Sequence, residues 1–251
     1  MESVWQPREY AVCVNMLPVR FAHLRAGDLP CRVEWIRVLP EIPKWLQGHV
    51  SAAMPEGVAW KLVPLRVFPA RYELSLDNDV ILWAAPRAMK EWLASDDTGA
   101  CLMGEDVASA LGQFGEACNY RALNSGIRGL PPGFDMERRL RKVLDERGIT
   151  LQSELDEQGL QAFVLSQTKL FVVSTDDVSI CSPFPNHQQH LGRCGAHFVG
   201  INPKRLPWLL DGRPAHDVIR EFWLAHAEQL RTRVDGSRND RGFDLAVAAV
   251  S

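Results

Sequence analysis

Two stretches hold the residues whose types and spacing can do chemistry. Leu76-Asp77-Asn78-Asp79-Val80 places two carboxylates at the end of an apolar run. About 120 residues later, His197-Phe198-Val199-Gly200 supplies an imidazole and a glycine, with Lys204 shortly beyond. Two hard oxygen donors and one histidine nitrogen suit a divalent cation such as Mn2+ or Mg2+, with positions left for phosphate oxygens. Each piece also has a plainer reading. Acidic pairs after strands are common turn formers, a histidine among apolar neighbours is often a core residue, and a single lysine is often only solvated.

Three other segments add candidates. Asn124-Ser125-Gly126 precedes the Gly/Pro-rich stretch Gly129-Leu130-Pro131-Pro132-Gly133. Asn and Ser can hydrogen-bond sugar hydroxyls and Gly admits a close approach; the alternative is a simple turn. Asp156-Glu157-Gln158-Gly159 opens a helical pattern, where carboxylates either complement the helix dipole or face a reacting group. Arg138, Arg139, Arg141 and Lys142 form a basic patch that reads first as a solvated helix face.

The elements that must position these residues follow from periodicity. Strands are expected over Tyr10 to Asn15, Arg32 to Leu39, Val58 to Val63, Arg71 to Leu76 (continuing through Val80 to Trp83) and Leu170 to Ser174. Helices are expected over Pro86 to Leu93, Glu105 to Phe114, Asp135 to Arg147 with Gly148 closing it, Ser153 to Gln167 with Ser153 as N-cap, and Ala215 to Leu230. Their alternation suggests an α/β fold with an open, mostly parallel sheet flanked by helices. In such sheets ligands bind beyond the carboxyl ends of strands, where Asp77 and Asp79 fall. Asp235 to Gly242 reads as a polar loop, and Phe243 to Ser251 as a short strand, a docking segment or a tail. With no clear linker, residues 1–251 are expected to form a single domain.

Composition narrows the classes. The chain has 251 residues, 46% hydrophobic and 24% charged, as in ordinary globular proteins. A net charge of −3 argues against coating nucleic acid. The six cysteines form no CxxC pair and read as reduced thiols in a cytoplasmic protein. The polar start is not a signal peptide, and no run approaches the ~18 apolar residues of a membrane span, so no transmembrane segment is expected. Eight tryptophans suit carbohydrate stacking, although most are expected in the core.

Taken in order, Asp-x-Asp, Asn-Ser-Gly, Glu-Gln-Gly and His-Phe-x-Gly followed by a lysine and Pro-Trp resemble the retaining glycosyltransferases of family 8, the glycogenin and bacterial galactosyltransferase type. The resemblance covers roughly residues 10 to 208, leaving 209–251 as a C-terminal helix and tail. It implies a GT-A-like nucleotide-binding sheet. It implies Asp77, Asp79 and His197 as ligands of Mn2+ (or Mg2+), and a nucleotide diphosphate sugar, a UDP-sugar first of all, as donor. Lys61, sixteen residues before Asp77, and Lys204 would contact donor phosphates or sugar. Asn124 would hold the donor sugar or acceptor, and Glu157 and Gln158 would lie at the reacting face. Asn15 would contact the base, with Asn78, Ser125, Gly126 and Gly200 completing the donor site. The lysine falls seven residues after His197, with Pro203 intervening, so the family's Lys-Pro-Trp unit is interrupted before Pro207-Trp208.

The activity so implied is metal-dependent hexosyl transfer with retention at the anomeric carbon. Glu157 would act as nucleophile, or attack would come from the same face as departure. The acceptor is open: carbohydrate, lipid-linked sugar, small molecule or protein, with specificity expected in Asp96 to Tyr120 and the C-terminal helix. Two alternatives stand beside it, a nucleotide-sugar-binding protein without transfer and a nucleotidyltransferase. The latter is expected to carry a Gly-rich basic phosphate loop near the N-terminus, where this chain has only Gly27.

Overall fold

Asp77 ends a strand in the middle of a seven-stranded sheet, and that sheet sets the geometry of everything around it. The computed structural model describes residues 10–14, 33–37, 42–52, 54, 59–63, 65–120, 122–199, 209–239 and 249–250. Asn15, Gly200, Lys204 and Pro207-Trp208 lie outside the described residues. The sheet comprises β1 (Tyr10–Val14), β2 (Val33–Arg37), β3 (Glu73–Asp77), β5 (Ala100–Glu105), β6 (Leu123–Leu130), β7 (Lys169–Val173) and β12 (Ala249–Val250). Their spatial order is β2-β1-β12-β3-β6-β5-β7. Only β6 runs against its neighbours, antiparallel to β3 and β5; the other pairings are parallel. The sheet is therefore mixed. The C-terminal residues form a strand, with Val250 paired to both Cys13 and Asp77.

A second, three-stranded sheet is built from β4 (Val80–Leu82), β8 (Val178–Ile180) and β9 (Gly195–His197), in the order β4-β9-β8. Since β4 follows β3 after the two-residue turn Asn78-Asp79, the aspartate pair joins the two sheets. Two-residue strands β10 (Leu209–Leu210) and β11 (Arg213–Pro214) form a small hairpin.

The helices are α1 (Lys44–Gln47), α2 (Arg87–Ala94), α3 (Met136–Arg147), α4 (Glu154–Ser166) and α5 (Ala215–Asn239). In α3, Leu140, Val143 and Leu144 face inward, the Asp135 side chain caps the Arg138 N–H at 2.9 Å, and Gly148 closes it at φ 61°. Its outward face carries Glu137–Arg141 and Lys142–Glu146 pairs, which is how the basic patch is accommodated. Helix α4 is buried on nearly every side, and a Cβ at Gly159 would run into the Leu111 backbone. One core lies among α3, α4 and the sheet, a second around α2 with Trp92 and Leu102, and a third around Trp83 and Phe198. No helix of the described residues is long and apolar enough to cross a membrane.

The structure corrects several expectations. Val58 to Val63 holds no strand among its described residues but a 3₁₀ turn, Ala59–Leu62. There Leu62 enters the core while Lys61 reaches Asp77. Glu105 to Phe114 is not a helix. Apolar Cys101, Leu102 and Met103 extend as β5 between β6 and β7, and Gly112 at φ 49° breaks the helical path before a short 3₁₀ turn, Gly112–Phe114. Asn124-Ser125-Gly126 is not a turn; it lies within β6, every residue of which is buried. Helix α5 runs through the expected polar loop as far as Asn239. It is anchored near its end by Arg233, which donates to the Gly192 carbonyl at 3.0 Å and stacks over Trp83. Ser153 occupies the N-cap position without a side-chain cap bond; its backbone carbonyl accepts from the Asp156 and Glu157 N–H groups, and the Asp156 carboxylate reaches back to the Gln152 N–H.

Candidate functional site

The aspartates and the histidine converge, although about 120 residues separate them in sequence. Val80 lies opposite His197 in the β4–β9 ladder, and the Phe198 N–H donates to the Asp79 carbonyl at 2.8 Å. This brings His197 Nε2 to 3.2 Å from Asp79 Oδ1. One ligand atom each from Asp77, Asp79 and His197 lies within 4.8 Å of the other two. Octahedral Mg2+ at 2.0–2.1 Å needs ligand atoms about 3 Å apart when adjacent and about 4.2 Å apart when opposite. The triad therefore fits with a small closing movement, and its two carboxylates and one imidazole are the donor types Mn2+ and Mg2+ accept.

The ring of His197, 5% exposed, is seated on Gly126. The open side of Gly126 thus receives the imidazole rather than a ligand: a Cβ there would collide with Cε1 of the ring and lie 2.8 Å from its Nδ1. Lys61 donates to Asp77 Oδ2 at 2.6 Å. Burial alone would lower the Lys61 pKa, but the charges of Asp77, Glu157 and Asp79 outweigh it and the pKa is raised. One Asp77 oxygen, Oδ2, is thus held by an ammonium.

Glu157, 1% exposed, lies behind this cluster. Burial pushes its carboxyl up to about 7; the Asp77 charge adds to the shift, while Lys61, the Gln161 amide and Arg128 oppose it. Its neighbour Asp156 behaves in the opposite way. Although burial would raise its pKa, bonds from the Gln113 N–H (2.9 Å), the Gln113 side chain (3.1 Å) and the Gln152 N–H (2.8 Å) hold it below the ordinary value. Asp156 is thus a structural clamp between α4 and the preceding loops, and Glu157 is the carboxyl next to the Asp77–Asp79–His197 cluster.

The polar atoms of Gln158 and Asn124 are committed to protein. Gln158 Oε1 accepts from the Ser125 N–H at 3.1 Å and its Nε2 donates to the Ala110 carbonyl at 2.9 Å. Asn124 Nδ2 donates to Asp106 Oδ2 at 2.9 Å, and its Oδ1 accepts from the Gly126 N–H at 2.8 Å. Both hold the start of β6 in place. Asn78 is exposed at the tip of the turn. Of the tryptophans, Trp83 and Trp92 are core residues and Trp223 is exposed.

Sequence reasoning missed Arg128, Gln161, Asp106 and the pair Ser182–His187. Arg128 sits in the centre of the sheet, where a charge between Ile127 and Gly129 is the one visible signal. Ser182 Oγ and His187 Nδ1 are 2.6 Å apart, and burial lowers the His187 pKa while the fields of Asp106 and His197 reach it. That pair lies on the Asp106 side of the cluster. The four described cysteines, Cys101, Cys118, Cys181 and Cys194, are free thiols.

Comparison of the chain with protein-family models, with curated proteins and with solved structures finds no match.

Proposed function

We propose that this protein is a metal-dependent retaining glycosyltransferase of GT-A-like architecture, moving a hexosyl group from a nucleotide diphosphate sugar, a UDP-sugar first of all, to an acceptor. The observation that carries the reading is the convergence of Asp77, Asp79 and His197 at the carboxyl end of a central strand, with Lys61 and Glu157 beside it. The placement of the cluster where open α/β sheets bind ligands supports it. So does β6, the antiparallel strand of the seven-stranded sheet, which carries Asn124 and Gly126 to the same rim.

Asp77, Asp79 and His197 would hold Mn2+ or Mg2+, which would supply Lewis-acid stabilisation of the departing diphosphate. Lys61 brings positive charge to the same oxygens. Glu157 is the carboxylate available to an oxocarbenium-like centre. Its ionised fraction near neutral pH can stabilise that centre or attack it, and Lys61 and Arg128 favour the ionised form. Gln158 acts on the reaction by fixing Ser125 and the Ala110 loop. The free cysteines are in keeping with a cytoplasmic setting.

Calorimetric titration with UDP, GDP, ADP and CDP, each with and without Mn2+, tests the reading. Metal-dependent binding of one diphosphate is expected. A folded protein that binds none of them would show that the triad is structural. A second reading, donor binding without transfer, is favoured by the engagement of Gln158 and Asn124 with protein atoms. It predicts metal-dependent binding with no release of nucleotide diphosphate from any bound donor sugar.

A further inference from the structure

A buried arginine in the middle of a sheet needs a reason, because a charge there is costly unless its donors are satisfied, and Arg128 leaves Nε without a hydrogen-bond partner among the described residues. Arg128, 5% exposed on β6, donates through Nη1 to Gln161 Oε1 at 2.6 Å and through Nη2 to the Leu65 carbonyl at 2.8 Å, with Ser75 Oγ at 3.3 Å. Gln161, 2% exposed, then donates from Nε2 to Glu157 Oε1 one helical turn earlier.

The polarity of this chain is fixed by chemistry. A guanidinium is a donor only, so the Gln161 amide must turn its oxygen to Arg128 and its nitrogen to Glu157. Glu157 Oε1 is consequently an acceptor in either protonation state. A proton on the carboxyl is thereby favoured on Oε2, the oxygen that Gln161 does not hold.

We propose that Gln161, its amide held in a single orientation by Arg128, is a positioning residue that locks Glu157 Oε1 and leaves Oε2 as the working oxygen. This rests on the glycosyl-transfer reading only for what Oε2 then does; the relay itself belongs to the fold. The charged groups facing Glu157 are Lys61 from the 3₁₀ turn, Asp77 from β3 and Arg128 from β6. Replacing Gln161 leaves Lys61 and Asp77 untouched and also removes the oxygen that accepts from Arg128 Nη1.

The test is Gln161→Met, which keeps length and removes the donor. The protonated-carboxyl stretch of Glu157, identified by its loss in Glu157→Gln, is followed against pH by infrared difference spectroscopy. Its midpoint should rise by about 1–2 pH units, the effect of losing a hydrogen bond to a charged acceptor. Hydrolysis of UDP-glucose or UDP-galactose with Mn2+ should lose about 10- to 100-fold in kcat with KM little changed. A folded Gln161→Met protein with an unmoved midpoint overturns the proposal. If that variant does not fold, the wild-type protein serves. The 15N resonance of the Gln161 side-chain amide should titrate with the Glu157 midpoint and cease to do so in Glu157→Gln; a resonance indifferent to Glu157 overturns it. A shifted midpoint in a protein that neither binds UDP with Mn2+ nor cleaves any donor upholds the relay and removes the glycosyl-transfer reading.

Discussion

Adding one methyl group at Gly126 should disable the proposed metal site, whose nearest proposed ligand by sequence is 47 residues away. A Cβ on Gly126 would lie 2.8 Å from both Asn124 Oδ1 and His197 Nδ1 and nearer still to His197 Cε1, whereas ordinary Cβ contacts begin at 3.4 Å. Moving from 2.8 to 3.4 Å asks the ring to retreat by about 0.6 Å or more, several times the ±0.2 Å tolerance of a metal–ligand bond. The backbone of Gly126 lies where the β5–β6 register shifts between Asn124 and Arg128, with its N–H on Asn124 Oδ1, so the added methyl displaces the ring, the strand or both. Gly126→Ala should therefore weaken Mn2+ binding in the presence of UDP by about 10- to 100-fold. It should also destabilise the fold by about 1–3 kcal/mol through overpacking. Paramagnetic resonance titration of free Mn2+ reads the first effect and circular dichroism melting the second. His197→Ala, which opens space rather than closing it, should lose the same affinity without the clash. Wild-type Mn2+ affinity in either folded variant would refute the seating of His197 as the third ligand.

Three further outcomes are expected. Because the folded Glu157 carboxyl titrates near 7 against an ordinary 4.5, the folded state holds the proton more tightly. The stability this contributes is complete below about pH 4.5 and is lost as pH rises through 7. Denaturant melts of Glu157→Gln should lack that fall of a few kcal/mol and exceed wild type above neutrality, while the wild-type rate should rise with pH through a midpoint near 7 if the ionised form acts. Lys61→Met frees Asp77 from its ammonium, so Mn2+ should bind more tightly without nucleotide and UDP less tightly in calorimetry; unchanged values for both would remove Lys61 from the site. Asp156→Asn should cost about 1–3 kcal/mol in urea melts and leave Mn2+ affinity intact. Its depressed pKa means that the wild-type contribution is present above the ordinary carboxyl range and fades as pH falls through the folded value.

The amino-acid order alone singled out the candidate residues and the elements with strong local signatures. Helix α3 was legible because its apolar stripe, Asp135 cap and Gly148 stop all agree. Strands β1, β2 and β7 were legible as apolar runs, and Asp77 was placed at a strand end. Strand β6 was not legible, because Asn124, Ser125, Gly126, Arg128 and Gly129 have little intrinsic preference for extended structure. Arg128 and Gly129 extend because β3 and β5 pair with them on both edges, Asn124 because β5 does, and Ser125 and Gly126 bridge the register shift between them, while α2 and α4 cover the faces. Nor could spacing distinguish Asp156 from Glu157. Adjacent on one helix, they differ because one meets backbone N–H groups and the other meets Lys61, Gln161 and an apolar interior. The roles of Gly126 and Arg128 are likewise tertiary: one depends on a ring delivered from β9, the other on an amide delivered from α4. Local sequence set which side chains could bind a cation. Packing decided which carboxyl is buried, which glycine must stay bare and which amide is held in place, because those properties belong to neighbours distant along the chain.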